Sequence, residues 1–160
     1  MADIVPPEVR SRMMASIGRR DTKPEVMVRK ALHAAGFRFR LDVRDMPGSP
    51  DIVLPKWRTA IFVHGCFWHR HPGCARATTP ATRPEFWQRK FDANTARDAR
   101  VEAALVERGW KVGIIWECAL ENGTSEQSLL ALIEFIRRED DAACRVEIPK
   151  APVLLPMLRE

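Results

Sequence analysis

The stretch that decides the fold reads IFVHGCFWHRHPGC and covers residues 61–74. It begins as a β-branched, apolar run typical of a buried strand. It then changes to glycine, cysteine, histidine and two adjacent aromatic residues, Phe67 and Trp68. Three of the chain's four histidines and two of its four cysteines lie in this stretch. This is not core composition, and it predicts a strand that ends in a metal-bound, ring-bearing loop.

Length and charge limit the class of protein. A chain of 160 residues suits one domain, and 46% hydrophobic and 29% charged residues are ordinary for a globular protein. A net charge of +5 and a pI near 9.4 favour a polyanionic partner such as nucleic acid, although many basic proteins bind none. Residues 1–12 lack a signal-peptide core, and no apolar run approaches the roughly 18 residues of a membrane helix. We therefore expect a cytoplasmic protein without a membrane partner.

Periodic patterns and capping residues predict alternating helices and strands. The predicted elements are a helix over 22–35, strands over 37–41, 51–54 and 59–64, a helix over 82–108, a strand over 110–117 and a helix that ends at 138. Thr22 and Thr82 are expected to cap the first two helices. This order implies an α/β fold with a mixed sheet flanked by helices. We divide the chain into an arm at 1–20, one domain at 21–144 and a peripheral tail at 145–160.

Four residues supply the donors of a metal site: Cys66, His71, Cys74 and Cys118. The first three follow the spacing Cys-x4-His-x2-Cys, and the fourth ends a distant strand. Three thiolates and an imidazole form a closed, tetrahedral set typical of structural Zn²⁺, with no open position for chemistry. We interpret the set as a zinc site that fixes a long loop to the end of the last strand. The alternative is three separate buried thiols and a surface histidine. Cys144 has no partner in this pattern and is expected to be buried.

A second group of polar residues suits phosphodiester hydrolysis. That reaction needs a carboxylate to hold a divalent cation, a group that moves protons and a group that offsets charge on the phosphate. Asp51, which starts a strand after Pro50, fits the first role. His64 and His69 leave the next strand and fit the other two. The alternative for Asp51 is an ordinary turn aspartate at a strand edge.

Two further carboxylates have both structural and functional interpretations. Asp98 lies on the apolar stripe of the long helix, where a buried polar group needs a partner. It either orients a histidine ring or completes a local hydrogen-bond network. Glu25 is explained by a capping box with Thr22, yet its position at a helix start also lets it face a metal-bound water.

The aromatic pair Phe67 and Trp68 lies between a proposed metal ligand and a candidate catalytic histidine, so the rings do not easily reach a distant core. Rings held rigidly at the tip of such a loop can wedge between base pairs. The alternative is a small apolar core around the metal.

Five motifs resemble the very short patch repair (Vsr) endonuclease family. They are Asp21-Thr22, Pro50-Asp51, Val63 to His69, Arg83 to Trp87, and Trp116 to Leu120. The His-Gly-Cys-Phe-Trp-His segment is the most specific. The resemblance implies a variant of the restriction-endonuclease-like fold. It also implies a Mg²⁺-dependent nick on the 5′ side of the thymine in a T·G mismatch, the lesion left when 5-methylcytosine deaminates.

Carried over by position, the resemblance assigns catalytic roles to the polar residues. Asp51 would bind Mg²⁺, and Glu25 would touch a metal-bound water. His64 and His69 would act at the phosphate, and Asp98 would support a histidine.

The resemblance also assigns DNA contacts. Phe67, Trp68 and Trp87 would intercalate beside the mismatch from the major groove. Met14, on a DNA-contacting arm, would approach the minor groove. Two departures from the family pattern concern the metal sites. Val63 stands where the family can have threonine, which leaves only its backbone carbonyl to reach Mg²⁺, and the gap between the histidine and second cysteine of the zinc loop is one residue longer.

The implied partner is double-stranded DNA with a T·G mismatch. A bacterial, cytoplasmic, nucleoid-associated monomer is expected, functionally linked to a DNA cytosine-5 methyltransferase and working beside mismatch-repair proteins. Two other interpretations stay open. One is a non-catalytic, zinc-stabilised DNA-binding module, which would bind irrespective of Mg²⁺. The other is a related endonuclease acting on ordinary duplex DNA, which would usually need a dimer.

Overall fold

The computed structural model describes residues 6, 8–9, 21–121, 123–139 and 143–148. Most of the predicted arm at 1–20, including Met14, lies outside the described residues. The helices are α1 (Lys23–Ala34), α2 (Cys66–His69), α3 (Pro84–Glu107) and α4 (Ser125–Arg137), and the strands are β1 (Ile52–Leu54), β2 (Thr59–His64), β3 (Lys111–Trp116) and β4 (Arg145–Ile148). Short 3-10 turns at Pro55–Trp57 and Glu117–Leu120 follow β1 and β3.

The strands form one four-stranded sheet in the order β1-β2-β3-β4. β1 and β2 form an antiparallel hairpin, whereas β3 runs parallel to β2 and β4 parallel to β3. Parallel neighbours need crossover connections, which α3 supplies between β2 and β3 and α4 supplies between β3 and β4. The predicted mixed α/β sheet flanked by helices is therefore confirmed.

The two faces of the sheet carry separate apolar layers. α1 and α4 pack on the face that bears Ile61 and Ile115. α3 packs on the other face, where its Leu105 joins Phe62 in a second buried cluster. Side chains alternate along a strand, so His64 lies on the same face as Phe62. The end of β2 thus presents its histidine toward α3.

Helix starts match the predicted capping pattern in one case and depart from it in another. α1 begins as predicted, with the Thr22 hydroxyl accepting the N–H of Glu25 at 3.4 Å. The prediction that Thr82 caps the long helix is wrong. α3 begins at Pro84, and its N-cap is Arg83 in the left-handed conformation, with φ of 57°. Proline in the first turn sets the helical geometry without needing a side-chain cap.

Two segments at the sheet edges differ from prediction. Residues 37–41 form no strand apart from a bridge between Arg40 and Val53. Burial on the apolar side of this segment decreases along the chain, since Phe37 is buried while Leu41 is 39% exposed. Conversely, the segment predicted as a peripheral tail, 145–160, begins with β4, which adds a strand to the sheet.

None of the helices in the described part of the chain is both long enough and apolar enough to span a membrane.

Candidate active site and metal centre

The β1–β2 hairpin fixes the first carboxylate of the site. Asp51 directly precedes β1, and its Oδ2 accepts a 2.7 Å hydrogen bond from the backbone N–H of Val63 on β2. Burial raises the pKa of Asp51 to about 6; the Val63 hydrogen bond opposes the rise, and the charge of Glu25 adds to it. The charged form of this carboxylate is therefore costly unless a cation lies beside it.

The loop before Asp51 packs against α3 through a glycine. Gly48 has a φ of +70°, and a Cβ placed on it would lie 2.3 Å from Cγ1 of Val101 on α3. Glycine accepts this backbone conformation without strain and permits the close approach. The contact brings the loop that carries Asp51 close to the helix that carries Asp98.

Two histidines and Asp98 form a connected group on the α3 face. Nδ1 of His69 lies 2.6 Å from Oδ2 of Asp98, and the two side chains are only 24% and 18% exposed. The His64 ring stacks on the His69 ring, with centroids 3.8 Å apart and planes 4° from parallel. A carboxylate at Nδ1 holds a proton on that nitrogen, which leaves Nε2 of His69 to accept another.

His64 and Asp98 differ in charge at neutral pH. The pKa of His64 is lowered to about 3, mainly by burial and then by the charge of His69. Burial would raise the pKa of Asp98, but the hydrogen bond and the charge of His69 outweigh burial and lower that pKa. At neutral pH an ionised carboxylate therefore lies beside a neutral His64.

Glu25 makes a capping contact and also faces the cleft, so its geometry bears on both of its predicted roles. Its Oε2 accepts the N–H of Asp21 at 3.0 Å and Nη2 of Arg29 at 3.2 Å. The capping interaction is displaced by one residue, because the returning bond goes to Asp21 rather than to Thr22. Glu25 is only 6% exposed and also lines the cleft described next. Helix capping and a cation-facing role are compatible in this geometry.

These groups converge on one cleft of about 470 Å³, called the cleft below. Three carboxylates, two imidazoles and one guanidinium face this space. Carboxylate oxygens are ligands that Mg²⁺ prefers, and an imidazole held by a carboxylate suits proton transfer. The residues that line the cleft are Glu25, Gly48, Ser49, Asp51, Phe62, Val63, His64, His69, Arg97, Asp98 and Val101.

The four predicted metal donors also meet in space, around the chain that forms and follows α2. The ligating atoms of Cys66, His71, Cys74 and Cys118, called the metal cluster below, all lie within 4.8 Å of one another. Nδ1 of His71 is 3.8 Å from Sγ of Cys66 and 3.4 Å from Sγ of Cys118. Tetrahedral zinc geometry places such nitrogen and sulfur atoms about 3.6 Å apart. The donor set therefore fits a metal ion, and the longer gap between His71 and Cys74 does not prevent the donors from meeting.

Neighbouring groups position the metal cluster. The N–H of Cys66 donates to Oε1 of Glu117 at 3.1 Å, and the His71 ring stacks on Trp116 at 4.4 Å and 12°. Burial raises the pKa of the Cys66 thiol. Without a cation this thiol therefore stays protonated, and a bound metal ion would favour its thiolate.

The three rings predicted to intercalate form one group beside the cleft. Phe67 makes edge contacts with Trp68 at 5.0 Å and Trp87 at 5.8 Å, measured between ring centroids. Lys90 Nζ lies 5.3 Å from the Trp68 ring and 5.6 Å from the Trp87 ring. All three rings of this aromatic cluster are partly exposed. Because His69 directly follows Trp68, α2 joins the aromatic cluster to the cleft.

Every predicted site residue within the described part of the chain belongs to the cleft, the metal cluster or the aromatic cluster, and the roles predicted for them remain predictions. Cys144 is only partly buried, against the α1–α4 layer. Sequence reasoning does not identify Gly48, Glu117 or Arg97. The Pro-Gly-Ser-Pro stretch was a signal for an unusual backbone at Gly48, whereas a charged residue on an exposed helix face carries no such signal.

Comparison with known proteins places these features in one family. The family model described as DNA mismatch endonuclease Vsr matches residues 2–76. A type II nicking enzyme of Xanthomonas oryzae pv. oryzae, V.XorIIP, is 45% identical over 135 residues, which cover 84% of this chain and 98% of that protein. DNA mismatch endonuclease Vsr of Escherichia coli is 42% identical over 146 residues, which cover 89% of this chain and 93% of that protein.

A second nicking enzyme, V.NmeAIP of Neisseria meningitidis, is 43% identical over 122 residues, or 76% of this chain and 86% of that protein. The similarity thus extends through α3 and β3, beyond the part that the family model matches. Given this identity over nearly the full length of the relatives, the chain belongs to the Vsr family and is a DNA endonuclease of the nicking type.

Proposed function

We propose that this enzyme nicks one strand of duplex DNA on the 5′ side of the thymine in a T·G mismatch, by Mg²⁺-dependent hydrolysis. The observation that carries the proposal is the consecutive placement of Phe67, Trp68 and His69 on α2. It sets two partly exposed rings directly beside a histidine held by Asp98. A relative named for mismatch cleavage supports the same substrate.

Asp51 is the residue that would hold Mg²⁺, with the backbone carbonyl of Val63 as a further ligand and Glu25 in contact with a metal-bound water. The fit rests on the burial that raises the pKa of Asp51, because a buried carboxylate favours a neighbouring cation. Bound Mg²⁺ would withdraw charge from a phosphate oxygen and so promote attack on phosphorus. The hydrogen bond from Val63 fixes the direction of the Asp51 carboxylate at 2.7 Å.

His69 is the proposed proton-transfer group. Asp98 occupies its Nδ1, so Nε2 accepts a proton from the attacking water as that water forms the new bond to phosphorus. His64, stacked on His69 at 3.8 Å, stays neutral and positions the ring and the phosphate. The bond to the leaving sugar oxygen then breaks, that oxygen takes up a proton from solvent, and a nick is left.

The aromatic cluster is the proposed mismatch reader. Unstacking a base step costs a few kcal/mol, and a T·G pair is already weakened, so a wedge of rings favours it over a normal pair. Lys90 lies over two of the rings and adds positive charge near the DNA backbone. Met14 would meet the same base step from the minor groove.

The metal cluster is proposed to bind structural Zn²⁺. Three cysteines and one histidine form a soft donor set that leaves no open position once all four ligands bind. The ion would tie the loop after α2 to the turn after β3, which fixes the position of α2. The catalytic and structural roles of metal are thereby separate.

We further propose that the enzyme works as a monomer, since only one strand of a mismatch is wrong. Deamination of 5-methylcytosine links its substrate to a DNA cytosine-5 methyltransferase, and its product is a nick for other repair proteins to process.

A second candidate function is nicking of ordinary duplex DNA at a defined sequence. The relatives named as type II nicking enzymes favour this reading, because their names give the nick without naming a mismatch. The two candidates share the cleft and differ in what the aromatic cluster does.

One assay separates them. T·G, C·G and A·T duplexes of the same sequence, each strand labelled in turn, are incubated with and without Mg²⁺. We expect a single nick in the thymine-bearing strand of the T·G duplex only. Equal nicking of the C·G duplex would support the second candidate. Binding without any cleavage would show that the protein is a non-catalytic DNA-binding module.

A further inference from the structure

The cleft contains more negative than positive charge, although its proposed substrate is an anion. Its carboxylates belong to Glu25, Asp51 and Asp98. Among the described residues that line the cleft, the guanidinium of Arg97 is the one permanent positive charge. A phosphodiester that enters this space needs donors for its non-bridging oxygens, in addition to any cation that the carboxylates hold.

α3 holds Arg97 at the rim of the cleft, next to Asp98. Its Nη2 donates a 3.4 Å hydrogen bond to Oδ1 of Asn94, which is a long bond to an uncharged group. Within the described ranges, no carboxylate forms an ion pair with Arg97. Arg29 and Arg145, in contrast, are tied to carboxylates of the protein itself. The Arg97 guanidinium is therefore available to an anionic ligand.

The charge of Arg97 already acts on its neighbour in the cleft. It helps to lower the pKa of Asp98, against the effect of burial and after the larger effect of His69. A cation that acts on this wall of the cleft also acts on an anion inside it.

We propose that Arg97 binds the scissile phosphate, donating hydrogen bonds to its non-bridging oxygens and stabilising the negative charge that grows there during hydrolysis. The inference rests on the proposed phosphodiester hydrolysis in the cleft and adds a substrate-contacting residue to it. Arginine suits this role because its planar fork of N–H groups matches two phosphate oxygens, whereas lysine offers a point charge.

A kinetic test compares Arg97→Ala, Arg97→Lys and the control Arg100→Ala. Arg100 is exposed on the same helix, one turn further along, and does not line the cleft. Single-turnover nicking at saturating enzyme should fall about 10²–10³-fold in Arg97→Ala, the range for loss of one transition-state donor. Arg97→Lys should fall less, and Arg100→Ala should nick at the wild-type rate. An Arg97→Ala enzyme that nicks as fast as wild type at saturation would overturn the proposal.

A binding test keeps the inference separate from the proposed function. A neutral methylphosphonate replaces single phosphates around the mismatch, one linkage at a time, and Kd is measured without Mg²⁺. At one linkage the substitution should weaken wild-type binding about ten-fold but leave Arg97→Ala binding nearly unchanged, because the charged partner is already gone. Arg100→Ala should lose affinity there as the wild type does.

The outcomes of the two tests are distinct. Coupling between Arg97 and one linkage, in a protein that nicks no duplex, would leave the phosphate contact standing and refute the proposed nicking. Normal nicking without coupling at the nicked linkage would refute the role of Arg97 and leave the proposed function intact.

Discussion

The cleft and the metal cluster each take one histidine from the same short loop but place it in different surroundings. His69 stays partly exposed, bonded to Asp98 through Nδ1. His71, two residues later, is buried with Nδ1 facing two thiols. Arg70 between them has a φ of 57°, which ends α2 in the left-handed conformation and turns the chain. One backbone reversal thus directs one imidazole into the cleft and the other into the metal cluster.

The two regions also differ in what their buried groups require. In the metal cluster, burial raises the pKa of Cys66, and a bound cation satisfies all four donors at once. In the cleft, burial raises the pKa of Asp51 to about 6, while the cleft stays open to a substrate. We therefore expect loss of the first metal to affect folding and loss of the second to affect mainly the reaction.

The largest expected effect is on the metal cluster. Cys118→Ser removes the donor that joins the loop to the turn after β3. The variant should lose most of its roughly one equivalent of zinc, and Tm should fall by more than about 10 °C, because a structural zinc site contributes several kcal/mol to folding. Metal analysis and calorimetry test this, with Cys144→Ser as the control that keeps its zinc. A well-folded, metal-free and fully active preparation would refute a structural ion.

In the cleft, Asp51→Asn should lower the nicking rate by several orders of magnitude, since the cation that offsets charge on the phosphate is lost. Mismatch binding should change little, because the aromatic cluster and the phosphate contacts remain. Gel shift and single-turnover nicking measure the two effects. Asp45→Asn, an exposed carboxylate in the same loop, is the matched control and should nick normally. Substantial residual nicking in Asp51→Asn would place the catalytic centre elsewhere.

The two neighbouring histidines allow a direct exchange test. His69→Ala should reduce the single-turnover nicking rate about 10²–10⁴-fold and keep its zinc, as expected for loss of a general acid–base group. His71→Ala should instead lose zinc and stability. His33→Ala, on the exposed face of α1, should change neither. The reverse pattern, with zinc lost in His69→Ala and kept in His71→Ala, would show that the two assignments are exchanged.

A smaller effect is expected in the aromatic cluster. Phe67→Ala and Trp68→Ala should lower the preference for T·G over C·G duplex by roughly 5- to 100-fold each, the range for one base-stacking contact. Affinity for ordinary duplex should change less, because phosphate contacts supply most of it. Competition binding with the two duplexes measures the ratio. Normal discrimination in both variants would show that these rings only pack around the metal cluster and do not recognise the mismatch.

The smallest effect concerns the cost of the Asp51 charge without Mg²⁺. The pKa of Asp51 rises from 3.8 to about 6 on folding, so the folded state binds more protons than the unfolded state between these values. Stability from this group therefore falls as pH rises through that window and stays lower above it. In Mg²⁺-free buffer, Asp51→Asn should have a Tm a few degrees above wild type at pH 7.5, and the difference should vanish near pH 4. A pH-independent difference would contradict the burial of the charge.

The parts of the site that follow from short-range rules were predictable from sequence. The spacing of Cys66, His71 and Cys74 identifies donors that can meet around one ion, and a lone Asp98 on an apolar helical stripe indicates a buried partner. The structure supplies that partner as His69. These patterns depend on residues close in sequence or on one helix face, so the folded structure agrees with them.

The parts that depend on neighbouring elements were not predictable. The alternation at 37–41 records burial but not pairing, and it yields only a single bridge at Arg40. α3 starts at Pro84, later than predicted, because Arg83 adopts a left-handed conformation that no local residue pattern requires. Arg97 lines the cleft on α3, a helix that the loop approaches closely at Gly48, and this contact depends on the tertiary fold.

Cys118 is the last of the four metal donors in the sequence, so it is also the last to be synthesised. A ribosome releases the chain from its N-terminus at about 5–20 residues per second, so Asp51, both cleft histidines and Asp98 emerge before the fourth metal donor does. A nascent chain that ends short of Cys118 carries every reactive group but lacks the fourth donor of the proposed zinc site. If that site fixes α2, the cleft is completed only after Cys118 has been synthesised.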